Sequence, residues 1–154
     1  MKIETPKELL EAKVLCGKEI DKCVYFIQRT FAIRLPKLIP IFDIQDSVGG
    51  YVRTNEKLIH LNPTLLQANP DEYFNTVIPH EVCHLAASQC WPKCASHGKH
   101  WALLMSGFGL PPTPCHRMDV RTVPNRLGQT KNPNYKSVNS KIKTIKFGKI
   151  IDLD

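Results

Sequence analysis

The stretch His80-Glu81-Val82-Cys83-His84 constrains this chain more than any other part of it. In an α-helix, positions i and i+4 lie on one face, so both imidazoles reach one point and can share a tetrahedral metal. Glu81 stands beside that face, where a carboxylate can take a proton from a metal-bound water. Zinc suits the role because it lowers the pKa of such a water from about 15.7 to about 7. The segment has the helical context the geometry needs. A long helix is predicted to open at Asn69-Pro70, with Asn69 as cap, Pro70 first in the helix and Glu72 near the free amides. It should run to about Gln89, carrying Phe74, Val77, Ile78, Leu85 and Ala86, and bend at Pro79 just before His80. The bland alternative, a helix with two unrelated surface histidines, explains less of this pattern.

A catalytic zinc needs a third protein ligand and one open position. A metzincin would carry Gly at 87 and His at 90, but Ala87 and Cys90 stand there, which removes that subclass. The remaining candidates are Cys90, Cys94, His97, His100 and His116. His97 is favoured. Gly98 after it admits close backbone approach, and a helix over Lys99–Ser106 could fix the ligand before ending at Gly107 or Gly109.

Elsewhere, a first helix is predicted from Pro6 to about Thr30, with Thr5 and Glu8 forming a capping box. Leu9, Leu10, Val14, Leu15, Ile20, Val24, Phe26 and Ile27 recur along it at broadly helical spacing. Pro36 and Pro40 break the pattern. A β-rich run follows at Ile39–Ile44, then a turn at Gly49-Gly50, then a hairpin pairing Tyr51–Arg53 with Lys57–Leu61. Asn62-Pro63 ends that hairpin and opens a short helical turn through Leu66. The expected class is α+β: an N-terminal helix, a small sheet and a helix bearing the histidine pair.

No stretch approaches the roughly 20 apolar residues of a membrane helix. The start, Met1-Lys2-Ile3-Glu4, is not an apolar signal segment, so the expectation is a cytoplasmic protein with reduced thiols and no membrane partner. On that reading Cys16, Cys23 and Cys83 are small buried hydrophobes. A second, structural zinc held by Cys90, Cys94, Cys115 and His116 is conceivable, but ordinary thiols are the preferred reading. Trp101 and Phe108 are expected core anchors, and His60, in a strand, a structural residue. His116 is open between orienting a ligand, holding a substrate oxygen and a non-catalytic role.

The formal charge of +7 is unevenly spread. Residues 1–115 hold 12 basic and 11 acidic residues, a net of +1, whereas residues 116–154 hold 9 basic and 3 acidic, a net of +6. After Val123 the chain is rich in Asn, Lys, Ser and Thr, so the expected division is one domain over 1–123, carrying the histidine motif, and a basic extension over 124–154. The extension is either a solubilising face or a DNA surface, with Lys141, Lys143 and Lys146 contacting phosphates and Tyr135 and Phe147 available for stacking.

Taken together, Thr76-Val77-Ile78-Pro79-His80-Glu81-Val82-Cys83-His84-Leu85 and His97-Gly98-Lys99-His100-Trp101 resemble the SprT-like metallopeptidases, which pair an H-E-x-x-H helix with a later H-G-x-x-[FW]. Ile59-His60-Leu61-Asn62-Pro63 with Leu65-Leu66, Met105, Leu110-Pro111 and Cys115-His116 add to the likeness, which spans Phe31 to Val120. The resemblance implies a zincin-like α+β fold, His97 as third ligand beside His80 and His84, and Glu81 as catalytic acid/base. Some relatives, the Spartan group, cleave proteins crosslinked to DNA. Two features depart from the pattern. No cysteine follows Cys115, so the zinc ribbon of many bacterial relatives cannot form, and the partner-binding tails of the Spartan group are unrecognisable.

The resulting expectation is a zinc-dependent endopeptidase with one catalytic Zn2+ and a protein or peptide substrate, unfolded or DNA-associated. The rival readings are a zinc-stabilised nucleic-acid-binding adaptor with little hydrolysis, and another metallohydrolase such as an amidase.

Overall fold

The structure, a computed structural model, describes residues 1–123. Lys141, Lys143, Lys146 and the whole proposed extension lie outside the described residues.

Helix α1 (Pro6–Phe31) starts as its capping box dictates. The Thr5 hydroxyl accepts the Glu8 N–H at 3.2 Å, and the Glu8 carboxylate accepts the Thr5 N–H at 3.0 Å. Its buried stripe is Leu9, Ala12, Lys13, Cys16, Ile20, Cys23 and Ile27. Leu10, Val14 and Leu15, grouped with that stripe on sequence, are exposed. Small side chains at 12, 16 and 23 let a neighbouring helix approach closely, which larger residues there would prevent. Burial pushes the Cys16 and Cys23 thiols up to about 12, so both behave as small hydrophobes.

Strands β1 (Ile39–Phe42), β2 (Gly50–Val52) and β3 (Leu58–Leu61) form one sheet in the order β1-β3-β2. The central strand β3 runs parallel to β1 and antiparallel to β2, with His60 opposite both Ile41 and Tyr51. The hairpin is the one expected. Gly50, however, is the first residue of β2, opposite Leu61, and does not belong to a turn.

Asn62 caps the short helix α2 (Pro63–Ala68), its side-chain oxygen accepting the N–H groups of Thr64 and Leu65, each at 3.1 Å. The predicted long helix is present in three parts: α3 (Pro70–Glu72), a π-helical turn (Tyr73–Val77) and α4 (Ile78–Cys90). The wide turn answers Pro79. Inside an α-helix its ring would collide with the carbonyl four residues back and no N–H would bond there. Here the Ile78 N–H reaches Tyr73 O, five residues back, and Pro79 falls in the first turn of α4, where a missing donor costs nothing. Asn69 does not cap with its side chain. Its amide instead pairs with the Asp119 backbone, donating to O at 3.1 Å and accepting from N at 2.9 Å.

Helix α4 packs against α1, against α5 (Lys99–Gly107) and against β2, which brings the histidine pair to the sheet edge. Cys83 faces the α1 side of the core, fully buried, and Trp101 is fully buried beneath α4. Phe108, half-buried, packs on Phe26 with ring centroids 4.4 Å apart. No helix among the described residues is long and apolar enough to cross a membrane.

Candidate metal centre

Three side chains converge at the open side of α4. His80 and His84 come from consecutive turns of that helix, and His97 from the loop leading into α5. Their Nε2 atoms are 3.0 Å (His80–His84), 2.9 Å (His84–His97) and 3.3 Å (His80–His97) apart. Three imidazole nitrogens meeting at one point cannot all be satisfied by N–H···N bonds to one another, whereas one cation between them accepts all three lone pairs. A tetrahedral ion with Zn–N distances of about 2.0–2.1 Å would space its ligand nitrogens about 3.3–3.4 Å apart, within a few tenths of an ångström of the observed spacing. The triad therefore fits a metal ion, and among the described residues it is the group of His, Cys, Asp and Glu side chains that could hold one.

The local electrostatics suit ligation, which needs neutral imidazoles. Burial, reinforced by the neighbouring histidines, lowers His80 to about 3 and His84 to about 4, and burial lowers His97 as well. Trp101 supports all three rings. It stacks on His84 (centroids 5.4 Å apart, 19° between planes) and meets His80 and His97 edge-on at 4.9 and 4.7 Å. Its Nε1–H donates to the His80 carbonyl at 3.4 Å. Sequence reasoning placed Trp101 in the core correctly, but gave no sign that it is also the floor of the site.

The His97 loop is built for close turns. The Cys94 N–H bonds Trp91 O at 2.9 Å and the Gly98 N–H bonds Ala95 O at 3.1 Å. A Cβ on Gly98 would lie 3.1 Å from the Ala95 Cβ, so the close approach foreseen at Gly98 is present. His100, a rival third ligand, stacks on Trp91 at 4.4 Å instead.

Glu81 is buried, with Oε1 4.0 Å from His80 Nε2. Burial pushes its carboxyl up to about 8. Gly50 closes over it: a Cβ there would lie 3.2 Å from Glu81 Cγ and 3.1 Å from the His60 carbonyl. Glu81 and the three histidines line one cleft of about 810 Å³, whose walls are residues 44–54, α4, the His97 loop and residues 114–116.

The chain from residue 28 to residue 117 matches the SprT-like family model. This chain belongs to the SprT-like family. Among curated proteins it is similar to Protein SprT of Pseudomonas paraeruginosa, 36% identical over 117 residues that cover 74% of this chain and 67% of that protein. Protein SprT of Pseudomonas aeruginosa is 34% identical with the same coverage. Protein SprT of Vibrio parahaemolyticus is 35% identical over 104 residues, 66% of this chain and 62% of that one. No solved structure matches.

The other sequence candidates fall outside the triad of this SprT-like chain. Cys90 and Cys115 are exposed and Cys94 is half-buried, all as free thiols, and among the described residues no second group gathers enough ligand atoms. His60 is structural, as expected: Nδ1 lies 2.7 Å from Asp43 Oδ2, Nε2 lies 2.6 Å from Glu56 Oε2, and Tyr51 stacks on the ring at 4.2 Å. His116 lies at the cleft but is turned to backbone, with Nε2 2.9 Å from Ser47 O. Gly50, Tyr73 and Asn62 also shape the site and were not foreseen in that role. For Tyr73 the one available signal was an aromatic hydroxyl at a buried helical position.

Proposed function

We propose that this chain is a zinc-dependent endopeptidase with a zincin-like fold, acting on unfolded or DNA-associated proteins. The observation that carries the reading is the buried Glu81 carboxyl beside three converging imidazole nitrogens in an open cleft. His80, His84 and His97 would hold the zinc. When bound, zinc supplies Lewis acidity, making a coordinated water acidic near neutral pH and stabilising negative charge on a carbonyl oxygen.

The protein's own groups do the proton handling. Glu81 takes a proton from the attacking water and returns it to the amide nitrogen as that becomes the leaving amine. Its buried position favours both halves of the cycle, because a carboxyl held near neutrality can accept and give back a proton without a large energetic step. Trp101 keeps the three imidazoles in register, and Gly50 brings the sheet edge against Glu81 without a side chain to block the cleft. A purely structural metal site has no use for that carboxyl, which argues against the adaptor reading. The cleft, with walls drawn from four segments, has room for an extended stretch of polypeptide, which favours a peptide over a small amide.

The test is incubation of zinc-loaded protein with an unfolded protein and with a DNA-binding protein, each with and without single-stranded DNA. Cleavage of the unfolded protein supports the peptidase reading, and stimulation by DNA supports the DNA-linked substrate. Zinc-loaded protein that cuts neither contradicts the reading. X-ray absorption on the same sample should give three nitrogen ligands, and two or more sulfurs would overturn the ligand set.

A further inference from the structure

The cleft wall facing α4 is held in an unusual way. Four successive backbone carbonyls, of Asp46, Ser47, Val48 and Gly49, each accept a hydrogen bond from a side chain. Asn62 Nδ2 donates to Asp46 O at 2.7 Å and to Val48 O at 3.1 Å. The Tyr73 hydroxyl donates to Gly49 O. Asn62 and Tyr73 are both fully buried and joined to each other, the Asn62 N–H bonding the Tyr73 hydroxyl at 2.6 Å, so three of the four bonds come from one rigid unit.

The fourth is different. Ser47 O accepts from His116 Nε2 at 2.9 Å, across 69 residues of sequence. Because the partner is a carbonyl, Nε2 must carry the proton, and Nδ1 is then free to accept the Met118 N–H at 3.3 Å. The strap carrying His116 is itself anchored. Met118 and Val123 are buried in the core, and Asp119 is paired through its backbone with the Asn69 amide. Met118 and His116 then press on the wall from outside: a Cβ added to Gly49 would lie 2.8 Å from Met118 Cε and 3.2 Å from His116 Cδ2. The next residue, Gly50, is the one that closes over Glu81.

We propose that His116 is a positioning residue, a latch that ties the 114–118 strap to Ser47 and so fixes the 47–50 wall of the cleft at its distance from Glu81. It neither ligates the metal nor handles protons. The effect on substrate rests on the peptidase reading above, whereas the mechanical coupling does not.

Two replacements at 116 separate the roles. Counted from Cα, glutamine carries its amide nitrogen as many bonds out as Nε2 of histidine, so His116→Gln can still donate to Ser47 O. Asparagine is one bond shorter, so His116→Asn cannot. Loss of one hydrogen bond from a local closing equilibrium should speed amide exchange across residues 47–50 about tenfold in His116→Asn, with zinc content unchanged and Tm lowered by only a few degrees. In peptide cleavage KM should rise about tenfold with kcat within about threefold, because the lost interaction shapes binding and makes no contact with the reacting atoms. His116→Gln should restore both exchange and KM. Gly49→Ala, whose methyl would meet His116 Cδ2 at 3.2 Å and the flexible end of Met118 at 2.8 Å, crowds the latch with His116 intact. It should raise exchange at 47–50 and KM in the same direction as His116→Asn, and it decides the matter if that variant does not fold.

Zinc loss in His116→Asn, a fall in kcat at constant KM, unchanged exchange at 47–50, or failure of glutamine to rescue would each overturn the latch. A wild-type protein that cuts no peptide would sink the peptidase reading alone, because the exchange comparison still decides the latch.

Discussion

Tyr73→Phe removes one oxygen atom from the interior and tests how the sheet edge is held. The Tyr73 hydroxyl is fully buried, accepts the Asn62 N–H at 2.6 Å and donates to the Gly49 carbonyl. Burial keeps the phenol well above its ordinary pKa, so it remains a donor across the working pH range. Phenylalanine fits the same space but leaves one backbone N–H and one backbone C=O without this partner. Each such loss costs about 1–3 kcal/mol in an interior that water does not reach, so the change should destabilise the fold by about 2–4 kcal/mol. Against a total stability of about 5–15 kcal/mol, that is a large fraction. Urea unfolding of the metal-loaded and metal-free proteins is the assay. With m near 2 kcal/mol/M, the midpoint should fall by about 1–2 M at unchanged m. A midpoint shift below about 0.3 M would refute the argument, because it would mean that the hydroxyl does not hold Gly49 against the core.

Three further outcomes follow from the same contacts. Trp101→Ala should cost about 3–5 kcal/mol in stability and weaken zinc binding at the same time, since the ring underlies all three imidazoles; unfolding and zinc titration read the two effects. Gly50→Ala should keep the fold and the zinc but lower peptidase activity at least about tenfold, because the added methyl meets Glu81 and the His60 carbonyl; zinc content and a cleavage rate check it. The metal-free protein should be most stable near pH 6.5 as far as His80, His84 and Glu81 decide it. Below that pH the unfolded chain protonates histidines that the folded protein keeps neutral, so stability falls. From 6.5 up to about 8 the folded protein holds on to the Glu81 proton that the unfolded chain has already lost at its ordinary value of 4.5, so stability falls again, by about 2 kcal/mol. Glu81→Gln should flatten that alkaline arm in thermal melts with chelator present, and an arm that persists would contradict the assignment.

What the sequence showed and what it hid divide along a physical line. Local signals were readable, because the energy that decides them lies within a few residues. Thr5 with Glu8 marked the start of α1, Asn62-Pro63 the start of α2, and the spacing of His80 and His84 their common helix face. Gly98 pointed to a close backbone approach beside His97, and the contact with Ala95 shows that approach. Choices made by distant partners were not readable. The Asn69 amide bonds Asp119 fifty residues away and so does not act as a side-chain cap. Leu10, Val14 and Leu15 face outward, because the face of α1 turned to the core is the one carrying Leu9, Ala12, Cys16, Ile20, Cys23 and Ile27. Gly49-Gly50 has the look of a turn, yet Gly50 begins an edge strand whose need for glycine lies in Glu81, a residue 31 positions on. Pro79 marks a break in regular α-helix, and the break takes the form of a π-helical turn over Tyr73–Val77 just before it, a local adjustment that the proline alone does not specify.

The most direct test of the central claim compares wild type with Glu81→Gln, measuring bound zinc and hydrolysis of an unstructured protein on the same samples. Glutamine keeps the shape of the side chain and cannot carry the proton. The account predicts one zinc per chain in both proteins and a fall in hydrolysis of about 10²–10⁴-fold in the variant. A Glu81→Gln protein that keeps its zinc and cleaves at the wild-type rate would contradict it.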